Sequence, residues 1–233
     1  MTTGPYAVRF GAFPSVTPQA GTVERVELEV ENAGTLAWRH NLFVSYHWLD
    51  TRDNPIHWDG IRTGAPQLDP GERATVPINV RAPIPPGRYR LAFDLVAEFR
   101  AWFSELGSPM LAADVDVAPR EGEPDALLPD GWERAPDWDE RVRATHHEGY
   151  GVVAGAVAWP RGLMRRPPKE LAPYEPGQGR VPGFSAPLLV PSVLAGIELE
   201  PLGQIAGLPA FAAPRDEPWV FDGRIVLRRR KGG

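Results

Sequence analysis

Apolar and polar residues alternate with a period of two along the first half of the chain. Val26, Leu28 and Val30 interleave with glutamates, which is the pattern of a β-strand with one buried and one solvated face. The same alternation recurs near residues 42–48, 74–80, 89–95 and 111–117. Weaker segments at 8–13 and 56–61 bring the number of predicted strands to about seven.

Turn signals separate these segments, as in Asn32-Ala33-Gly34 and Asp69-Pro70-Gly71, where residues preset φ or accept a positive φ. Short strands with such connections, and without helical periodicity between them, predict an immunoglobulin-like antiparallel β-sandwich. Tyr89 follows a Pro-Pro-Gly-Arg corner. Its ring can pack in the core while its hydroxyl holds that corner, so we expect it to be structural.

The second half has a less regular pattern. Residues 120–138 are rich in proline, glycine and acids, which predicts a linker or crossing segment with Trp132 and Trp138 holding it against a domain. Acidic residues follow Pro136, so a short helix is predicted over Asp137–His147, and Gly149 would close it.

Three further segments of the second half predict strands, although the first of them is also compatible with a packed turn. They are the apolar run at 151–159 and two shorter stretches near 196–200 and 220–227, while recurring prolines exclude regular helix across most of 165–191. The predicted fold is therefore mainly β. A sandwich over residues 1–119 precedes the segment 120–138, and residues 139–233 form a smaller irregular β-rich or α+β domain with at most one or two short helices.

Composition narrows the class of protein. A chain of 233 residues with 42% hydrophobic and 24% charged residues is long enough for two globular domains. There is no cysteine, which excludes disulfides and thiolate metal sites and fits a reducing compartment. The N-terminus lacks the features of a signal peptide, and no apolar run reaches the length of a membrane span. We therefore expect a soluble cytoplasmic chain without membrane insertion.

Charge excludes one class of partner. The net charge is −5, and neither half of the chain is basic. A nucleic-acid partner is therefore not expected, because such partners are recognised by clustered lysine and arginine. Oligomeric state cannot be read from these features.

Several motifs of the first half together resemble a known family. They are Val30-Glu31-Asn32-Ala33-Gly34 leading to Trp38, Tyr46-His47-Trp48, Pro70-Gly71-Glu72, Pro86-Gly87-Arg88-Tyr89, and Phe93-Asp94-Leu95-Val96 leading to Trp102-Phe103. Residues 23–117 resemble the bacterial relatives of the four-tryptophan immunoglobulin-like domain of autophagy cargo receptors. Bacterial modules of that type are often appended to enzymes that build cell-surface polysaccharides, so the resemblance implies an accessory or binding role.

Two tryptophans stand outside the alternation and suggest a ligand site. Flat indole faces stack on sugar rings, and nearby charged groups supply directional hydrogen bonds. The candidate saccharide-binding residues are Trp58, Asp59, Arg62, Glu98 and Trp102. In the competing interpretation, both tryptophans simply fill the ends of the sandwich core.

Other chemistry-bearing residues give weaker signals. His146 and His147 are adjacent, so on a helix they point in different directions and cannot easily share a metal ion; solvated histidines at a helix end are expected. Ser192 lacks a nucleophile-elbow motif and a convincing histidine partner. The neighbouring Asp216 and Glu217 are expected to be solvated charges rather than an acid–base pair. We therefore predict no catalytic residue, metal or cofactor.

The sequence favours a non-catalytic module that binds saccharide or scaffolds a polysaccharide-building enzyme. One alternative is an enzyme or enzyme fragment that acts on saccharides at a site between the two halves. Another is a purely structural domain that contacts other proteins through a sheet edge or through exposed aromatics.

Overall fold

The computed structural model describes residues 4–128, 130–158, 177–182, 187–189 and 191–230. The chain folds into two compact units, Met1–Ala118 and Pro119–Gly233. Strands dominate the regular structure of both, so the predicted mainly β fold is confirmed. No helix within the described ranges has the length and apolar character needed to cross a membrane.

The first unit is a sandwich of two antiparallel sheets. Its strands are β1 (Val8–Phe10), β2 (Val23–Asn32), β3 (Leu42–Leu49), β4 (Pro55–His57), β5 (Thr63–Gly64), β6 (Arg73–Arg81), β7 (Gly87–Ala97), β8 (Ala101–Trp102) and β9 (Leu111–Val117). One sheet has the order β1-β2-β6. The other has β3 and β7 at its centre, with β4 and β5 beside β3, and β8 and β9 beside β7. The five alternating segments of the sequence all lie in these strands.

The two sheets differ in how their outer faces are covered. On β2 and β6 buried residues alternate with exposed ones, so the outer face of that sheet is solvated. On β3 and over residues 91–97 of β7 nearly every residue is buried. One face of this second sheet forms the sandwich core with Val44, Tyr46 and Trp48. Its opposite face is therefore shielded from water as well, and the candidate site lies there.

Tyr89 fixes the corner before β7, as predicted. Its hydroxyl donates a hydrogen bond to the Pro85 carbonyl oxygen at 2.6 Å. The ring lies edge-on to Trp48, with ring centroids 6.1 Å apart. The residue thus links the core to the loop that enters β7.

The second unit combines a large sheet with one helix. Its elements are β10 (Pro124–Ala126), β11 (Trp132–Arg134), α1 (Trp138–His147), β12 (Val152–Ala158), β13 (Arg180–Pro182), β14 (Leu188–Leu189), β15 (Pro191–Leu194), β16 (Pro201–Ile205), β17 (Leu208–Phe211) and β18 (Trp219–Arg229). The large sheet has the order β10-β15-β12-β18-β11 with β13 beside β18, and a small sheet has the order β14-β17-β16. The predicted helix and the strands predicted at 151–159 and 220–227 are present as α1, β12 and β18. Trp159 and most of the proline-rich stretch at 165–191 lie outside the described residues.

The interval 120–138 differs from the predicted linker. It contributes β10 and β11 to the large sheet, where Ala126 pairs with Ser192 and Arg134 pairs with Leu227. Trp132 and Trp138 are buried in the core of this unit. Strands of three residues are too short to show an alternating pattern, so the prolines and glycines between them dominated the sequence signal.

The strand predicted near 196–200 is wrong. Gly196 takes a positive φ of 86° in a turn after β15, and residues 197–200 join no sheet. The strands lie instead on either side of Ala206-Gly207, where both φ values are positive and Ile205 pairs with Leu208. Such a two-residue turn matches the twist of a hairpin.

Phe99 occupies an unfavourable position between β7 and β8. Its φ of 59° is left-handed, which is costly for a residue with a large side chain. Its side chain is also 99% exposed, so the ring adds no packing to the sandwich. The fold gains nothing from phenylalanine at this turn.

Removing the Tyr89 hydroxyl should weaken the first unit. Tyr89→Phe keeps the ring but leaves the Pro85 carbonyl without this donor, so we expect the free energy of unfolding to fall by about 1 kcal/mol. Urea denaturation measures the change. A variant as stable as the wild type would show that the corner bond adds nothing.

Relieving the backbone strain at residue 99 should stabilise the protein. Phe99→Asn is expected to raise the free energy of unfolding by about 0.5–1 kcal/mol, because asparagine tolerates the left-handed region. Phe99→Ala lacks the short polar side chain that stabilises asparagine in the left-handed region, so it should keep the strain and change stability little. Destabilisation by Phe99→Asn would contradict this account.

Candidate functional site

The structure brings the five predicted ligand-binding residues together on the covered outer face of the second sheet. Trp58, Asp59 and Arg62 come from the connection between β4 and β5, Glu98 follows β7, and Trp102 lies in β8. Contacts link all five of them through Arg62 and the two indole rings. We call this group the Trp58 cluster.

The floor of the Trp58 cluster is polar and buried. Ser45, His47 and Asp94 extend from β3 and β7, and all three side chains are inaccessible to water. Asp94 accepts hydrogen bonds from the backbone N–H groups of Leu95 at 2.7 Å and Ser104 at 3.3 Å. His47 Nε2 lies 3.6 Å from Asp94 Oδ2 and, like Ser45 Oγ, has no hydrogen-bond partner among the described residues.

His47 supports Trp58 from below. The two rings are stacked, with centroids 3.9 Å apart and planes inclined by 19°. His47 Nδ1 also bonds the Trp58 carbonyl oxygen; because a carbonyl only accepts, this nitrogen carries the proton. The indole of Trp58 is nevertheless 41% exposed. Since His47 covers one of its faces, the other face is available to a ligand.

Trp102 supports Trp58 from the side. Its ring meets Trp58 edge-on, with centroids 6.2 Å apart and planes inclined by 75°, and meets His47 at 4.5 Å. Its exposed fraction is only 8%, so it has no free face. Trp102 therefore supports Trp58 and offers no exposed ring face to a ligand.

Gly60 allows this loop to lie against β3. Its N–H donates to the Tyr46 carbonyl oxygen at 3.0 Å. A Cβ at residue 60 would stand 2.4 Å from the Tyr46 ring, which no side chain could tolerate without displacing the loop. The sequence His57-Trp58-Asp59-Gly60 thus combines an aromatic residue with the glycine that positions it.

Arg62 joins the charged residues of the cluster. Its Nε and Nη2 donate to the two Asp59 carboxylate oxygens at 3.1 and 2.7 Å, and its Nη1 bonds Glu98. The hydrogen bonds that Arg62 donates to the Asp59 carboxylate raise the pKa of Arg62 above its ordinary value. The guanidinium lies 5.9 Å from the centre of the Trp102 ring, a cation–π distance. The cluster therefore offers one open aromatic face with polar groups beside it and no evident nucleophile.

Sequence reasoning missed His47 and Asp94. Both lie in strands that were predicted from the alternation of their core-facing apolar residues. The alternation places His47 and Asp94 between those residues, on the face expected to be solvated. Asp94 interrupts an otherwise apolar run at residues 91–97 of β7, and this was the available signal. A lone carboxylate in such a strand indicates a buried partner.

In the second unit, Ser192 has a histidine partner that the sequence did not reveal. His146 Nε2 lies 3.1 Å from Ser192 Oγ, and His146 Nδ1 lies 2.6 Å from the Tyr150 carbonyl oxygen. The prediction of solvated helix-end histidines holds for His147 but is wrong for His146, which is buried. Because the Tyr150 carbonyl accepts from Nδ1–H, Nε2 of neutral His146 accepts a hydrogen bond from the Ser192 hydroxyl.

This pair is poorly suited to catalysis. Burial lowers the pKa of His146 to about 4, which makes it a weak base near neutral pH. Ser192 is inaccessible to water. The pair therefore connects α1 to β15 as a buried hydrogen bond.

A groove of about 690 Å³ in the second unit holds two of the carboxylates that the enzyme alternative would use. Residues 196–200 and 212–217 line it, and they include Asp216 and Glu217 but no histidine. Glu217 is paired with Arg120. Within the described ranges, no group of three or more histidines and carboxylates is placed to hold a metal ion.

Comparisons with known proteins give no family. No protein-family model and no curated protein matches the chain. A β-glucosidase from Listeria innocua, solved with glucose, is 14% identical with a TM-score of 0.32, over 48% of this chain and 16% of that chain. A Bordetella pertussis protein described as ApaA is 19% identical with a TM-score of 0.24, over 50% of this chain and 92% of that chain. The chain spans about a sixth of the glucosidase. Similarities this low carry no functional argument.

Burial of His146 predicts acid sensitivity. Its pKa is 6.5 in the unfolded chain and about 4 in the folded one, so between these values the unfolded state binds more protons. Above pH 6.5 the buried His146 does not reduce the free energy of unfolding. As the pH falls, the proton that the unfolded chain binds lowers this free energy, by about 3 kcal/mol at pH 4. Urea denaturation from pH 7 to pH 4 should show this slope in the wild type and a flatter slope in His146→Gln.

His147→Gln provides the control for this measurement. His147 is exposed on the same helix, so this variant should keep the wild-type pH dependence. If the free energy of unfolding depended on pH equally in the wild type and in His146→Gln, His146 would not be the cause of the acid sensitivity.

Proposed function

We propose that this protein is a non-catalytic saccharide-binding module, accessory to polysaccharide-building enzymes, and that the open face of Trp58 is its binding platform. The main support for this proposal is that Trp58 is 41% exposed although one face of its ring is stacked on His47. A large ring that serves only the core would be buried on both faces.

The platform is preorganised. The Trp58 backbone is held by the hydrogen bond from His47. Its ring is stacked on His47 on one face and contacts Trp102 at the side. Binding therefore requires little loss of side-chain entropy, which favours affinity for a flat ligand. The C–H groups on one face of a pyranose ring suit such a surface.

Polar groups flank the platform and suit sugar hydroxyls. Asp59 and Glu98 retain acceptor capacity beyond the bonds to Arg62, because an ionised carboxylate has about four acceptor positions. Arg62 fixes the orientation of both carboxylates. Directional acceptors beside an aromatic face are the features expected of a saccharide site.

The resemblance of residues 23–117 to the bacterial relatives of the four-tryptophan domain supports the accessory role. Modules of that type often accompany enzymes of cell-surface polysaccharide synthesis. An enzyme of this class is therefore the proposed partner, in the cytoplasm, as the cysteine-free composition suggests.

A second candidate function is docking to another protein. Phe99 favours it, because a strained and fully exposed phenylalanine is costly to the fold and is typical of a contact residue. Under this alternative, Phe99→Asn would abolish partner binding and leave saccharide binding unchanged.

A glycan array probed with the wild type and its variants tests the proposal. Trp58→Ala should lose at least about tenfold in affinity, because both ring burial and stacking are removed. Trp58→Phe should bind with intermediate affinity. Ile56→Ala removes an apolar side chain of similar exposure from the adjacent strand and should bind as the wild type does.

Two outcomes would contradict the saccharide function. One is the absence of any binding by the wild type. The other is binding that Trp58→Ala leaves unchanged. Circular dichroism of each variant confirms that the sandwich is folded.

A further inference from the structure

The charge around the Trp58 platform is negative. Arg62 is the only cation in the described contacts of the cluster, and it bonds both Asp59 and Glu98. A third carboxylate, Glu105, accepts a hydrogen bond from the Trp102 backbone N–H at 3.0 Å. The contacts of the cluster thus include three carboxylates and one guanidinium, and the first unit as a whole has fourteen acidic against ten basic residues.

Arg62 cannot serve as an anion receptor. Its donors already face two carboxylates, so an incoming acidic group would have to break these bonds and approach Asp59 and Glu98. Repulsion would oppose this approach. Sugar acids and phosphorylated sugars are thus disfavoured at the platform.

The cluster already shows how it binds a cation. The Arg62 guanidinium lies over Trp102 while carboxylates hold it from the side. The exposed face of Trp58, with the carboxylates of Asp59 and Glu98 nearby, is an environment suited to a second positive group.

We propose that the Trp58 platform selects saccharides that carry ammonium groups, that is, amino sugars, over neutral and acidic ones. The inference rests on the proposed saccharide-binding function. The sugar ring stacks on Trp58, and the ammonium group donates hydrogen bonds to the free acceptor positions of Asp59 and Glu98.

Three oligosaccharides of equal length test this selectivity by calorimetry. They are a glucosamine hexamer, an N-acetylglucosamine hexamer and a galacturonate hexamer, each measured at about pH 6, where amino groups are protonated. At low salt we expect the glucosamine hexamer to bind roughly three- to tenfold more tightly than the neutral one, with the acidic one weakest. The preference should shrink in about 0.5 M salt, because exposed charges are then screened.

A matched pair of charge variants tests whether the carboxylates of the Trp58 cluster cause the preference for the glucosamine hexamer. Glu98→Gln keeps a hydrogen-bonding side chain beside Arg62 but removes its charge, so it should lower the affinity for the glucosamine hexamer several times more than the affinity for the neutral hexamer. Asp116→Asn removes an exposed carboxylate on β9, outside the cluster, and should preserve the preference.

The outcomes distinguish a failure of the amino-sugar selectivity from a failure of the proposed saccharide-binding function. Equal or tighter binding of the neutral or acidic hexamer overturns the amino-sugar selectivity while the saccharide function stands. A preference that Glu98→Gln leaves intact also overturns it. Failure of every saccharide to bind overturns both.

Discussion

The pairing of β3 with β7 is the constraint on which the first unit depends. These strands are central in their sheet, and both of their faces are buried. One face supplies the core shared with β2 and β6, and the other forms the floor of the Trp58 cluster. The register that places Tyr46 opposite Phe93 also places Ser45 opposite Asp94. A slip of one residue would exchange these faces and lose both the core and the site.

The polar floor explains why an aromatic residue stays at the surface. His47 is held in place by the sheet and cannot turn away, so Trp58 stacks on it with one face outward. Gly60 brings the loop close enough for this stack to form. The open platform is thus a consequence of buried contacts, and the negative charge beside it sets which saccharides would be favoured.

Much of the first unit could be predicted from its sequence, because period-two alternation identifies strands with one wet face. The proximity of the five candidate residues was also predicted, since Trp58 and Trp102 stand outside that alternation, while their role in binding stays a prediction. The pattern could not show that the outer face of β3 is covered, because His47 and Ser45 are compatible with a solvated face. In the second unit, β10 and β11 were too short to show a period. The contact of His146 with Ser192 joins residues distant in the chain, which no local pattern encodes.

Hydrogen–deuterium exchange of individual backbone amides tests the central claim most directly. If both faces of the second sheet are buried, amides within 44–48 of β3 and 91–96 of β7 should exchange more slowly than those of β2, which is also a central strand but has a solvated outer face. Exchange in β3 and β7 that is as fast as in β2 would show that the outer face is open to water, and the account of the Trp58 cluster would fail.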